Sequence, residues 1–197
     1  HHQPRRQRQM CIRDRHGISA LLVEKNTSGL SFGNNEEKMG WKSQPTAQVI
    51  FDDCHVSSKK LLGEENKGFI YAMQGLDGGR LNIAAAALGG AQTALNIAKK
   101  YIKERKAFGK SLSEFQGLQF KVADMEIAIN SSRTFLREAA WKLDNAKSDA
   151  GVYCAMAKKF VTDNSFNIAN NSLQLLGGYG LSLIHISEPK RLEPISY

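Results

Sequence analysis

Residues 76–110, LDGGRLNIAAAALGGAQTALNIAKKYIKERKAFGK, decide the fold of this chain. Ala84, Ala87, Leu88, Ala91, Leu95 and Ala98 recur at helical spacing, in residue types of high helix propensity. Phe69, Ile70, Met73 and Leu76 carry the same period upstream, so one long helix is expected from Glu64 onward. Its end is expected near Phe108-Gly109, where glycine can take the left-handed terminal conformation. Asp77-Gly78-Gly79-Arg80 interrupts the pattern with two adjacent glycines, each costing about 1 kcal/mol relative to alanine. Close helix packing or a bound molecule must offset that cost. Asp77 and Arg80, three positions apart, can equally form a plain surface ion pair.

Beyond this helix, Ser113 is the expected cap of a second, with Gln116 as its capping partner. The apolar stripe of that helix runs through Leu118, Val122, Met125 and Ile129. Lys147-Ser148-Asp149 is a polar break, and a third helix uses Val152, Met156, Phe160, Ile168 and Leu176 before stopping at Gly177-Gly178. Three long helices with short connections make most of an antiparallel bundle; the apolar faces left over call for a fourth helix or a partner chain.

Before the helices, residues 17–62 read as β. Ile18, Ala20 and Leu22 belong to a mostly apolar strand, NTSGLSFGNN has turn chemistry, and Thr46 to Phe51 alternate up to an Asp52-Asp53 turn. The expected fold class is α+β: the end of a small β-domain over 16–62, then three long antiparallel helices of an incomplete four-helix bundle over 63–180.

Both ends read as foreign to this pattern. Residues 1–15 carry Arg5, Arg6, Arg8, Arg13 and Arg15 against Asp14 alone, without apolar period, and abut GISALLVEK with no linker. An arginine-rich start suits a presequence, but a presequence should precede a whole domain, and the β segment after residue 15 begins inside one. QRQMCIRDR and SLIHISEP resemble translated sequencing-adapter read-through, so 1–15 and 181–197 are expected to be non-native segments.

Half of the net charge of +8 lies in residues 1–15, and the lysines of the middle are interspersed with acids. That is a solvated mixed surface rather than a nucleic-acid footprint. No stretch approaches the roughly 20 apolar residues of a membrane span. Cys11, Cys54 and Cys154 are scattered, which gives neither a disulfide framework nor a metal site and suits a reducing compartment. His55 follows a strand among polar residues and is expected to be exposed rather than catalytic.

Two motifs can carry chemistry. In RxxFG, Arg105 can fork onto a phosphate and Phe108 can pack on a flat ring; the alternative is a helix-terminal cation meeting the dipole. In QLLGGYG, from Gln174 to Gly180, successive glycines admit a ligand to backbone N–H groups; the alternative is a helix stop. No Ser/His/Asp set and no GxGxxG is present.

Taken in order, KMGWKSQPTAQVIFDDCHVSSKKLLGEENKGF, LDGGRLNIAAAALGGAQTALNIAKKYIKERKAFGK, FQGLQFKVADM and LQLLGGYG resemble the acyl-CoA dehydrogenase family from Gly17 to Gly180. The resemblance implies a homotetramer with one FAD per subunit, each site shared with a neighbour. It assigns Arg105, Phe108, Gln116, Gln174, Gly177 and Gly178 to the neighbour's FAD, and Asp77, Gly78, Gly79 and Arg80 to the acyl-CoA side. The implied reaction is α,β-dehydrogenation: a glutamate takes the α-proton while a hydride passes to the flavin, and electrons leave through electron-transfer flavoprotein. GWKSQPT, GL-D-GGR and QGLQFKVADM point to a short branched, isobutyryl-CoA-like substrate of valine catabolism. The implied location is the mitochondrial matrix, or the cytoplasm in a bacterium.

The chain departs from the family's pattern at the base. Most members carry it in a YEG-type loop after the GGYG turn, and no such motif is present. A minority place it just before the arginine of the first helix, which here is Gly79. The chain alone is therefore expected to be inactive, with no catalytic residue of its own. An acyl-CoA oxidase and a non-catalytic helical interaction protein are the alternatives.

Overall fold

A computed structural model describes residues 17–181. The expectations for 1–15 and for most of 181–197, Cys11 included, fall outside the described residues. The described residues fall into two compact units that divide between Leu76 and Asp77.

The first unit is built from two antiparallel strand pairs. β1 (Ala20–Leu21) pairs with β4 (Leu61–Leu62), Ala20 opposite Leu62. β2 (Leu30–Asn35) pairs with β3 (Ala47–Phe51), Leu30 opposite Phe51, and the register shifts between Phe32 and Asn35. The first strand is thus shorter than its apolar run suggests: the ladder covers Ala20 and Leu21, and the Leu22 N–H adds one bond to the Lys60 carbonyl (2.9 Å). The NTSGLSFGNN segment is only half turn: its latter residues, from Leu30, form β2. Gly29 makes the turn, with φ +82 and no room for a side chain against the Asp52 carbonyl. Leu22, Phe32, Val49 and Phe51 stay at least half exposed, and among the described residues of this unit no apolar side chain is fully buried.

The link into the helices is pinned from both sides. The Asn66 N–H donates to Ser19 Oγ (2.8 Å) and the Gly68 N–H to the Ile18 carbonyl (2.8 Å). Gly63 turns at φ +71 beneath Tyr71, whose hydroxyl accepts from the Glu64 N–H at 3.0 Å. Helix α1 (Gly68–Glu104) begins only after these contacts, four residues later than Glu64, and is 37 residues long.

The second unit is a helical bundle. α2 (Gln116–Asp144) and α3 (Ala150–Leu175) follow α1. Lys99 reaches Glu126 (2.6 Å) and Gln92 reaches Arg133 (2.7 Å), so α2 descends as α1 rises. Met125 meets Ser172, and Ser132 meets Asn164, which sets α3 antiparallel to α2. The core joins Leu88, Leu95 and Ile102 of α1 to Met125 and Ile129 of α2 and to Val161, Ile168 and Leu175 of α3. Ala84, Ala87, Ala91, Ala94 and Ala98 pave the buried face of α1. Small side chains on that face let the neighbouring helices pack closely.

Two expectations about these helices are corrected. Ser113 caps nothing; Ser111 does, with Glu114 completing a capping box on a short 3-10 turn (Leu112–Glu114), and α2 starts at Gln116 without a side-chain cap. On α3 the buried face holds Cys154, Ala157, Val161, Thr162, Ser165, Ile168 and Ser172, while Val152, Met156 and Phe160 point outward at 61%, 43% and 40% exposure. Of the expected stripe Ile168 is buried, but apolar character misplaces its first half, because small and hydroxyl-bearing residues fill the tight interior. The Thr162 hydroxyl bonds locally, to the Lys158 carbonyl at 2.8 Å, and that of Ser172 reaches Met125 Sδ across to α2. Phe120, Ile127, Trp141 and Phe166 remain more than half exposed.

Candidate functional site

The segment after α1 is where the RxxFG motif acquires its shape. α1 stops at Glu104, before the motif, rather than at Phe108-Gly109. β5 (Lys106–Ala107) and β6 (Lys110–Ser111) form a minimal hairpin whose two loop residues, Phe108 (φ 52) and Gly109 (φ 82), are both left-handed. That is the type I′ turn, which matches the twist of paired strands. Phe108 therefore stands at a tip, 95% exposed, its ring edge-on to Phe115 at 6.4 Å. A left-handed conformation in an aromatic residue is strained, and such strain is held where surrounding bonds over-determine it. Here the Arg105 carbonyl accepts from the Leu112 N–H (2.9 Å), and the Ser111 hydroxyl lies 2.9 Å from the Ile102 carbonyl.

The end of α3 makes the other wall. The chain leaves the helix through Gly177, at φ +56, into a 3-10 turn (Gly177–Leu181). Arg105, Tyr101 and Leu112 then share a cleft of about 450 Å³ with Leu176, Gly177, Gly178 and Tyr179. The fold thus brings Arg105 to the glycine turn from which sequence separates it by some seventy positions. The Arg105 guanidinium lies 5.9 Å from the centre of the Tyr179 ring, and no carboxylate pairs with it among the described residues. A side-chain carbon added at Gly177 or Gly178 would meet nothing within 4 Å. An exposed guanidinium beside open glycine backbone suits an anionic, phosphate-bearing group.

Phe108, Gln116 and Gln174 do not line this cleft. Gln116 is exposed at the first position of α2, and Gln174 is exposed on the last turn of α3. Tyr101 and Tyr179, which do line it, were not legible in the motifs. Their only sequence signal is position: Tyr101 lies one turn before Arg105, and Tyr179 directly follows Gly178 inside QLLGGYG.

A second cluster lies at the other end of the bundle. Asp77 accepts a hydrogen bond from Arg80, as the i, i+3 spacing allows. The Asp77 carboxylate rests on the first turn of α3, 3.4 Å from where a side chain at Gly151 would begin. Nothing lies within 4 Å of the carbon that a side chain would add at Gly78 or Gly79, so no packing among the described residues accounts for these glycines. Cys154 is buried alongside; burial, and then the Asp77 carboxylate, pushes its thiol up, which keeps it protonated and inert at neutral pH. His55 sits 3.3 Å from Asp53 with both side chains 89% exposed. Among the described residues no group of His, Cys, Asp and Glu could hold a metal ion, and no helix is long and apolar enough to cross a membrane.

The acyl-CoA dehydrogenase C-terminal domain matches residues 66–192, both motifs included. The chain belongs to the acyl-CoA dehydrogenase family. It is 52% identical over 164 residues to the mitochondrial isobutyryl-CoA dehydrogenase of Dictyostelium discoideum, covering 83% of this chain and 39% of that protein. It is 44% identical to the short-chain acyl-CoA dehydrogenase of Clostridium acetobutylicum, covering 83% and 43%. The butyryl-CoA dehydrogenase structure from Megasphaera elsdenii superposes with a TM-score of 0.82 at 42% identity, covering 85% of this chain and 44% of that one. The chain thus spans about two fifths of the length of the acyl-CoA dehydrogenases it matches.

Proposed function

We propose that this chain supplies the helical part of a flavin-dependent acyl-CoA dehydrogenase acting on a short branched acyl-CoA, isobutyryl-CoA or a close homologue. The observation that carries the reading is the meeting of Arg105 with the Gly177-Gly178 turn in one cleft. FAD, when bound, supplies the hydride acceptor. Arg105 grips its diphosphate, and Gly177 and Gly178 let it approach the backbone. Phe108, Gln116 and Gln174, exposed around the cleft, touch the same cofactor, held mostly by another copy in a homotetramer. The higher identity to an isobutyryl-CoA dehydrogenase than to a short-chain one supports the branched substrate.

Gly78 and Gly79 keep the acyl-CoA path open, and Asp77 fixes Arg80 beside it. Gly79 has no side chain to take a proton, so proton abstraction is assigned to a carboxylate outside the described residues. Electron-transfer flavoprotein is the electron acceptor, and the mitochondrial matrix, or a bacterial cytoplasm, is the setting.

The test is flavin content. In the full-length holoenzyme, Arg105→Ala should lower FAD per subunit after gel filtration, read from the absorbance ratio of flavin to protein. Unchanged flavin would remove the role of the cleft. The 197-residue chain alone should not retain stoichiometric yellow flavin, because each site draws on two complete subunits.

A further inference from the structure

We propose that Tyr179 is a positioning residue that holds the Arg105 side chain ready for the cofactor's diphosphate. The inference rests on the flavin reading and adds to it a residue outside the motif glycines. The delivery of Tyr179 is built into the turn. Gly177 reverses the chain at φ +56, and Gly180 then lies so close to α3 that a side chain there would come within 2.7 Å of the Leu173 carbonyl. Between these two fixed points the Tyr179 ring is carried onto Tyr101 (5.9 Å between centres, planes tilted by 54°) and against the Arg105 guanidinium (5.9 Å).

The arginine needs such a support. Its backbone is fixed, with the N–H donating to the Tyr101 carbonyl at 2.8 Å and the carbonyl accepting from Leu112. Its long side chain is exposed and has no carboxylate partner among the described residues. Ordering a free arginine on ligand binding costs rotamer entropy, and a stacked ring removes part of that cost in advance. A ring does this without neutralising the guanidinium, so the positive charge stays available to a phosphate. A carboxylate in the same place would compete with the ligand.

The experiment is a double-mutant cycle on the apo form of the full-length enzyme, with FAD affinity read from flavin fluorescence during titration. Tyr179→Leu should raise the FAD Kd about 2- to 5-fold, the scale of an exposed cation–π contact. Tyr179→Phe, which keeps the ring, should restore affinity. In an Arg105→Ala background, Tyr179→Leu should add nothing. Tyr179→Gln serves where the leucine variant folds poorly, with the same expectation. Equal loss from Tyr179→Leu with and without Arg105, or no rescue by phenylalanine, overturns the positioning role. Arg105→Ala leaving the FAD Kd unchanged overturns the flavin reading instead; loss on Arg105→Ala with none on Tyr179→Leu overturns only the inference.

Discussion

The Lys142 ammonium donates to the Asp149 carboxylate at 2.7 Å, closing the link between α2 and α3, and also lies 4.0 Å from the centre of the Tyr153 ring. The hydrogen bond to Lys142 holds Asp149 below its ordinary 3.8, and that to Asp149 raises Lys142 above 10.5. A lowered carboxylate adds stability that is present above its unfolded value and lost as pH falls through its folded one. A raised lysine adds stability that is present below its unfolded value and lost as pH climbs through its folded one. The pair therefore acts between about pH 4 and pH 10. Asp149→Asn should lower the Tm at neutral pH, and the gap to the wild type should shrink as acid protonates the carboxylate. A gap that stays constant down to about pH 2 would show that the ion pair contributes nothing.

Val152 and Val161 share one helix and one chemistry but not one environment, at 61% and 0% exposure. Val161→Ala should cost about 2 kcal/mol, from lost burial and the cavity left behind. Val152→Ala should stay within about 0.5 kcal/mol of zero. Urea unfolding of the two variants compares them directly, and equal costs would mean that α3 does not turn its Val161 face inward.

Ser111 serves two elements at once. Its hydroxyl accepts from the Ser113 N–H at 3.3 Å and lies 2.9 Å from the Ile102 carbonyl at the end of α1. Ser111→Ala should destabilise by about 1 kcal/mol, as cap removals do. Ser113→Ala should cost less, since its own backbone N–H keeps the bond to Ser111. Thermal denaturation ranks them, and the reverse order would restore Ser113 as the cap.

Gly78→Ala should have opposite effects on stability and function. Open space surrounds the position, so alanine should raise stability by up to about 1 kcal/mol through helix propensity. If acyl-CoA passes over this surface, the same methyl should raise the KM of the complete enzyme. Higher stability with an unchanged KM would detach the glycines from the substrate.

Much of this was legible in local pattern. The α1 alanine stripe and the Leu118 to Ile129 face of α2 stand where their periodicity puts them. Patterns that depend on residue type alone were less secure. Val152, Met156 and Phe160 look like a core stripe, yet Cys154, Ala157 and Val161 occupy it, because helix separation, not hydrophobicity, selects which side chains fit.

By itself the sequence determined the family, the long helices and the identity of the two motifs, since each is written in contiguous residues and a short period. Only the tertiary structure decided that Phe108-Gly109 is a hairpin tip rather than a helix end, and that Tyr101 and Tyr179 stand beside Arg105. The reason is distance along the chain. A hairpin turn and an aromatic support depend on groups brought together by packed helices, and no local spacing encodes which residues that packing will make neighbours.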